Sequence, residues 1–573
     1  MLTYSFEMLG NNSLYEHLYK CIRRDILNGT IRSGEKLPSK RSFAKNLGVS
    51  VITVENAYAQ LVAEGYIYSV PKSGYYAAEI KKHLLTPSGE LREEKRIPGR
   101  DVSLWKPCAL QTARPEAESG ISVRQPDREQ GAAQTDRREL ENGIPVWQAD
   151  RKPCAAQTVR RELENGIPVW QPDREQGAAQ TDRRELESGI PPWQQDQTAR
   201  EEWLADFVNS RMDSGQFPFT IWARLLRGVL AGQKTELMEK APGMGVWKLR
   251  QAIAGYLLQF QGMRVRAEQI IVGAGTEYLY SLLIQLLGRD KVYALENPGY
   301  VKIAQVYESC QVKTVYVPMD EKGVCLDELR KENADVMHIS PSHHYPTGIT
   351  TPIGRRCDLL VWANEKEERY IIEDDYDCEF RLAGKSIPSL QSIDEGDKVI
   401  YMNTFTKSLT PTIRIGYMVL PETLLKRFWE RLGFYSCTVS NFEQYTLAEF
   451  ISEGYFEKHI NRMRNYYRNK RDKLLAVMEN SPLASRIEIR EADAGLHFLM
   501  RVNTKWTDAE LVRRAEEAGI KISCLSQYYL GENGKKKEAE GRVIINYSGL
   551  EDGKMEPVVE KLYEVWFGGE KNL

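Results

Sequence analysis

Between Leu14 and Leu27 the apolar residues Leu14, Leu18, Ile22 and Ile26 recur at the spacing of one helical face, and Asn28-Gly29 closes the pattern. A second helix opens after Leu37-Pro38 with Ser39 as its N-cap and ends at Leu47-Gly48. Val49-Ser50 turns into a third, whose inward face is Val54, Ala57, Tyr58, Leu61 and Val62 and whose stop is Glu64-Gly65. Two strands follow at 66–70 and 75–78, joined by Pro71-Lys72-Ser73-Gly74. Two helices across a tight turn and then a hairpin is the order of an α+β winged helix-turn-helix.

Past Lys81-Lys82 the apolar periodicity fades and a repeat takes its place. Gly-Ile pairs at 120, 143, 166 and 189 mark four 23-residue units (103–125, 126–148, 149–171, 172–194), and units two and four agree at 21 of 23 positions. Each unit offers too little apolar surface to stack as a solenoid. Segment 81–201 therefore reads as a mostly disordered tether with transient helix near 135–141. As coil, about 120 residues would span ~60 Å r.m.s.. The alternative is a segment that docks on a partner through Trp147, Trp170 and Trp193.

From 202 onward helices and apolar strands alternate: helix 246–260, strand 269–272, helix 277–287, then strands at 292–295, 314–317, 336–339, 370–372 and 399–401. That is an α/β pattern with a largely parallel sheet, in which ligands gather at the carboxyl ends of the strands. At those ends lie Gly273-Ala274-Gly275-Thr276, Glu373-Asp374-Asp375-Tyr376 and Thr404-Phe405-Thr406-Lys407, with Arg414 seven residues further on. Tyr278 stands where the third glycine of a GxGxxG motif belongs, so a phosphate on a helix N-terminus explains the glycine turn better than a dinucleotide does. A lysine, a carboxylate, a phenol, an arginine and a glycine turn are what pyridoxal phosphate requires. His338, His343 and His344 straddle a strand end and a proline-containing loop and do not make a metal site.

Composition narrows the setting. At 573 residues the chain holds more than one domain, and 42% hydrophobic with 28% charged residues describes an ordinary globular protein. A net charge of −2 gives no global field for nucleic acid, and residues 1–80 carry nine Lys/Arg against seven Asp/Glu. Nine scattered cysteines, none in a CxxC pair, fit a reducing cytosol. No apolar run reaches the ~18–20 residues of a membrane span, and no signal-peptide core is present, so a soluble cytoplasmic chain is expected.

The stretch LYEHLYKCIRRDILNGTIRSGEKLPSKRSFAKNLGVSVITVENAYAQLVAEGYIYS, followed by SGYY, resembles the GntR family over residues 11–78. The resemblance implies DNA contacts by Arg41 on the second helix, Ser50 and Thr53 on the recognition helix and the Lys72–Gly74 wing, while Val51 stands where that family often has arginine. From about 203 to the end the chain resembles fold-type I aminotransferases. This implies that Lys407 forms the imine with pyridoxal 5'-phosphate and that Arg414, Gly275, Thr276 and Thr404 hold the phosphate. It also implies that Asp374, rather than Asp375, pairs with the pyridinium nitrogen, that Tyr376 meets the phenolic oxygen and that Tyr300 stacks on the ring. Burial beside Arg414 would lower the Lys407 pKa. Tyr345 replaces the asparagine of Asn-Pro-x-Gly, and Arg542 is one candidate for a carboxylate-binding cation, a register on Asn546 putting Ile544 there instead.

The motifs PSHHYPTG, IIEDDYDCEFR and TFTKSLTPTIRIGY, with the head, resemble the MocR (GabR-like) subfamily of GntR regulators. The resemblance implies a multidomain chain: winged helix at 1–80, repeat linker at 81–201 and aminotransferase-like domain at 202–573. It further implies a homodimer on a double-stranded DNA operator that senses an amine or amino acid through aldimine exchange at Lys407. The rival reading is a working aminotransferase with a DNA-binding tail.

Overall fold

The head forms because three short amphipathic helices and a hairpin can bury one shared face. The computed structural model describes Tyr4 and residues 14–70, 73–78, 203–209, 212–382, 388–493, 495–531 and 539–568. The 81–201 linker and Lys72 lie outside the described residues. The described residues belong to one compact unit. The head's helices run Leu14–Leu27, Lys40–Leu47 and Val51–Ala63. Ser39 and Ser50 cap the second and third, accepting from Ser42 N at 3.2 Å and Thr53 N at 3.0 Å, and Gly48 ends the second at φ +66°. The antiparallel hairpin pairs Ile67–Val70 with Gly74–Ala77.

Leu18, Ile22, Phe43, Val54, Ala57, Tyr58 and Leu61 close the head's core. Leu14 and Val62, expected on the inner faces, are 42% and 38% exposed. Leu14 is the first residue of its helix, and Val62 lies ~100° round from Leu61, beyond the apolar stripe. Ile353 and Cys357 of the large domain are buried in the same core, and Ile353 N donates to Glu64 O at 3.0 Å.

The large domain is built on an eight-stranded sheet. From one edge its order is Ile270–Gly273, Gly416–Val419, Val399–Thr404, Tyr370–Asp374, Val336–Ile339, Val292–Asn297, Lys313–Asp320 and Gly323–Val324. All pairs are parallel except those of Gly416–Val419 with its two neighbours and of Gly323–Val324 at the edge. The central strands are buried along their whole length, and their residues are mostly apolar, with polar ones gathered toward the carboxyl ends. Helices such as Trp247–Gln261 and Thr276–Leu287 supply the covering layers. The 25-residue helix Tyr455–Glu479 leads to a smaller antiparallel sheet, ordered Ile487–Arg490, His497–Val502, Arg542–Asn546, Ser523–Cys524. No helix among the described residues is long and apolar enough to cross a membrane.

Candidate functional site

Parallel strands place their carboxyl ends on one edge, and the loops leaving that edge enclose a cavity of about 300 Å³. Thr276, Tyr300, Asp374, Tyr376, Thr404, Lys407 and Arg414 all line it. Residues separated by more than a hundred positions in sequence thus meet at one spot. Lys407 follows the Val399–Thr404 strand and is half-buried. Desolvation pushes its ammonium below the ordinary lysine value, with the charge of Asp377 acting weakly the other way. Arg414 is not a cause of that shift, contrary to expectation. Its guanidinium points to Gly275 and Glu277 instead.

Gly275 has φ +87°, and a Cβ there would stand 2.6 Å from Arg414 Nη2. Only glycine lets the arginine approach the start of the Thr276–Leu287 helix so closely. That helix start, with its unpaired backbone N–H groups, suits a phosphate. Thr404 Oγ1 donates to Thr406 Oγ1 at 2.8 Å, which places both hydroxyls on the same wall. Glu277 binds both Arg414 and Lys302.

Asp374 ends its strand with one carboxylate oxygen committed and the other not. Oδ2 accepts from Tyr280 and lies 3.5 Å from His338 Nε2, and His338 Nδ1 sits 3.1 Å from Tyr307 Oη. Oδ1 is buried with no hydrogen-bond partner among the described residues. A buried carboxylate oxygen is costly unless something pairs with it. The pyridinium N–H of pyridoxal phosphate is such a partner, and the Gly275 cradle matches its phosphate. Asp375 points away into the interior, where Gln261 and Tyr401 each donate to it at 3.0 Å. Strand alternation puts neighbouring carboxylates on opposite faces.

Tyr376 Oη is 3.2 Å from His343 Nδ1, and His343 is 2.8 Å from Asp377 Oδ2. His344 pairs with Thr347 Oγ1 at 2.7 Å, and burial drives its pKa down to about 3, so the ring is neutral. The three histidines therefore each serve a separate partner. Tyr345 lines the cavity and meets Tyr528 Oη at 3.0 Å, while Tyr300 crosses it edge-on and is 46% exposed.

The contacts made by Tyr280, His338 and Glu277 are written in no motif of the sequence. A signal existed for His338: it stands one residue before the carboxyl end of an apolar strand, Val336–Ile339, and that strand pairs in parallel with Tyr370–Asp374. Arg542 does not line the cavity. It opens the Arg542–Asn546 strand opposite Arg501, roughly 13 Å along the backbone from Asn546, which does.

On the head, Arg41 is exposed on the second helix. Ser50 is exposed and caps the recognition helix, with its Oγ 2.8 Å from Thr53 Oγ1. Val51 and Ile52, at the start of that helix, are 43% and 67% exposed.

A gntR-type head and a class I and II aminotransferase fold in one chain define a class of regulator. The model for "Bacterial regulatory proteins, gntR family" matches residues 14–76, and that for "Aminotransferase class I and II" matches 209–562. The chain belongs to the family of HTH-type transcriptional regulators that join these two domains, consistent with the MocR-like subfamily. The HTH-type transcriptional regulator YdeL of Bacillus subtilis is 31% identical over 553 residues, covering 96% of each chain. "Probable rhizopine catabolism regulatory protein MocR" of Rhizobium meliloti is 28% identical over 96% of this chain and 93% of its own. Among solved structures, a multiple substrate aminotransferase from Thermococcus profundus aligns at TM-score 0.56 and 21% identity, over 66% of this chain and 98% of its own. The protein is a pyridoxal-phosphate-dependent, DNA-binding transcriptional regulator.

Proposed function

We propose that this regulator senses a small amine in the Lys407 cavity and converts its presence into altered binding of a double-stranded operator. When bound, pyridoxal phosphate supplies an aldehyde carbon open to amines and an electron-withdrawing ring. Arg414, the Gly275 turn, Thr276 and Thr404 would hold its phosphate, Asp374 Oδ1 its ring nitrogen and Tyr376 its phenolic oxygen. Tyr300 would cover the ring. Lys407, kept toward its neutral form by burial, is the nucleophile and can carry a proton on Nζ.

The observation that favours sensing is where the recognition helix rests. Its C-cap residue Glu64 accepts from Ile353 N, and a Cβ on Gly65 would meet Pro352 Cβ at 2.8 Å. Pro352 directly follows the loop 341–351, which carries His344 and Tyr345 into the cavity. Arg356 clamps the base of that loop, donating to Pro341 O and Thr351 O at 2.8 Å each and to Pro388 O at 2.6 Å. A ligand that moves the loop moves the surface under the recognition helix, which is the differential contact that coupling requires.

The same reading takes 1–80 as the DNA-binding head, 81–201 as its tether and 202–573 as the effector domain. The working form is a cytoplasmic homodimer offering two heads to two half-sites. In this reading Arg41, Ser50, Thr53 and Lys72 meet the DNA.

The test is gel retardation of the DNA upstream of the gene by cofactor-loaded protein, with and without a panel of amines and amino acids. An active compound should shift the affinity at least fivefold. Ile353→Ser should keep DNA binding and amine uptake but lose the shift. Borohydride should label Lys407. Steady keto-acid production with no effect on DNA binding would establish the enzyme reading instead.

A further inference from the structure

The charges around the cavity restrict what can fill it. Among the described residues its lining holds three cations, Lys302, Lys407 and Arg414, and three carboxyl groups, Glu277, Glu296 and Asp374. Among the described residues none of these cations is left over for a ligand carboxylate. Lys407 is the reacting amine. Arg414 binds Glu277 and faces the phosphate cradle. Lys302, half-exposed at the rim, binds the other oxygen of Glu277. A bound phosphate adds more negative charge. Glu296 is buried, and burial raises its pKa to about 8, so it adds little charge.

Among the described residues the small sheet gives the cavity Asn546 and no arginine. On the same strand, Ile544 is wholly buried among Leu499, Leu525 and Ala539, with Tyr345 packed against that cluster. Leu295, Ile303, Val306 and Leu530 supply an apolar wall. A carboxylate on this lining would lose its hydration for neutral hydroxyl and amide partners, or would have to displace Glu277 from Lys302.

Resting on the sensor reading above, we propose that the effector is a primary amine with no carboxylate beside its amino group, and with an apolar body that lies along the Leu295–Leu530 wall. The apolar body gains contact along that wall that an added carboxylate would forfeit.

Matched pairs test this on the cofactor-loaded full chain: phenylalanine against 2-phenylethylamine, and leucine against 3-methylbutylamine. Dissociation constants from calorimetry should favour each amine by at least tenfold, and the amines should be the compounds that shift DNA affinity. Glu277→Gln, which releases Lys302, should narrow the ratio by improving the amino acids. Amino acids binding as tightly as the amines, with Lys407 still labelled by borohydride, would overturn the inference while leaving the sensor intact. Binding of neither class, with Lys407 unlabelled, would overturn both.

Discussion

Arg414 adopts φ +46°, a left-handed backbone that a non-glycine residue holds at a cost of about 1–2 kcal/mol. That conformation aims its guanidinium at the Gly275 turn, a strained residue kept where a ligand would be gripped. Glu296 shows the complementary cost of burial. It accepts from Ser340 N at 2.9 Å, yet desolvation raises its pKa to about 8. Between about pH 4.5 and 8 the folded protein then keeps a proton that the unfolded chain gives up, so stability falls as pH rises through that window. Glu296→Gln keeps the acceptor and removes the titration. It should match the wild type at pH 5 and exceed it at pH 9, by a few kcal/mol at most, in paired urea melts.

At the scale of elements, the recognition helix depends on Ser50 for its first turn. Ser50→Ala should cost about 1 kcal/mol of head stability. Ser50→Asp separates the two roles of this residue: it keeps the cap and the melting temperature, but a carboxylate against phosphate should abolish operator retardation. Retention of DNA binding by the Asp variant would show that Ser50 is a cap alone. The Gly416–Val419 strand has a comparable double duty. Running antiparallel between two parallel strands, it brings Arg414 back beside Gly275.

For the whole molecule, the decisive feature is that head and effector domain share apolar core. Ile353 and Cys357 complete the packing around Leu18, Phe43 and Tyr58, and Glu64 is buried at the junction with Tyr19 donating to it at 2.5 Å. Removing the Ile353 side chain from that core should cost on the order of 2–4 kcal/mol. Calorimetry should therefore split one cooperative transition into two for Ile353→Ser, the head melting first. A single unchanged transition would mean that the contact does not couple the two parts.

The winged-helix order, the α/β pattern and the Lys407, Asp374 and Gly275 motifs were legible along the chain. Helix caps, hydrophobic period and glycine turns are local, and each is written within a few residues. Val336–Ile339 was read with its observed bounds for the same reason. What stayed illegible depends on register between distant segments. The Tyr307–His338–Asp374 chain, Glu277 shared by Lys302 and Arg414, Arg542 falling at the far end of its strand and the seat of Glu64 on Ile353 all join residues whose sequence spacing carries no signal of contact. The sequence determined which elements form and which side chains could do the chemistry. Only tertiary packing decided which oxygen of Asp374 is left without a protein partner and where the recognition helix rests, because burial and pairing are properties of neighbours in space.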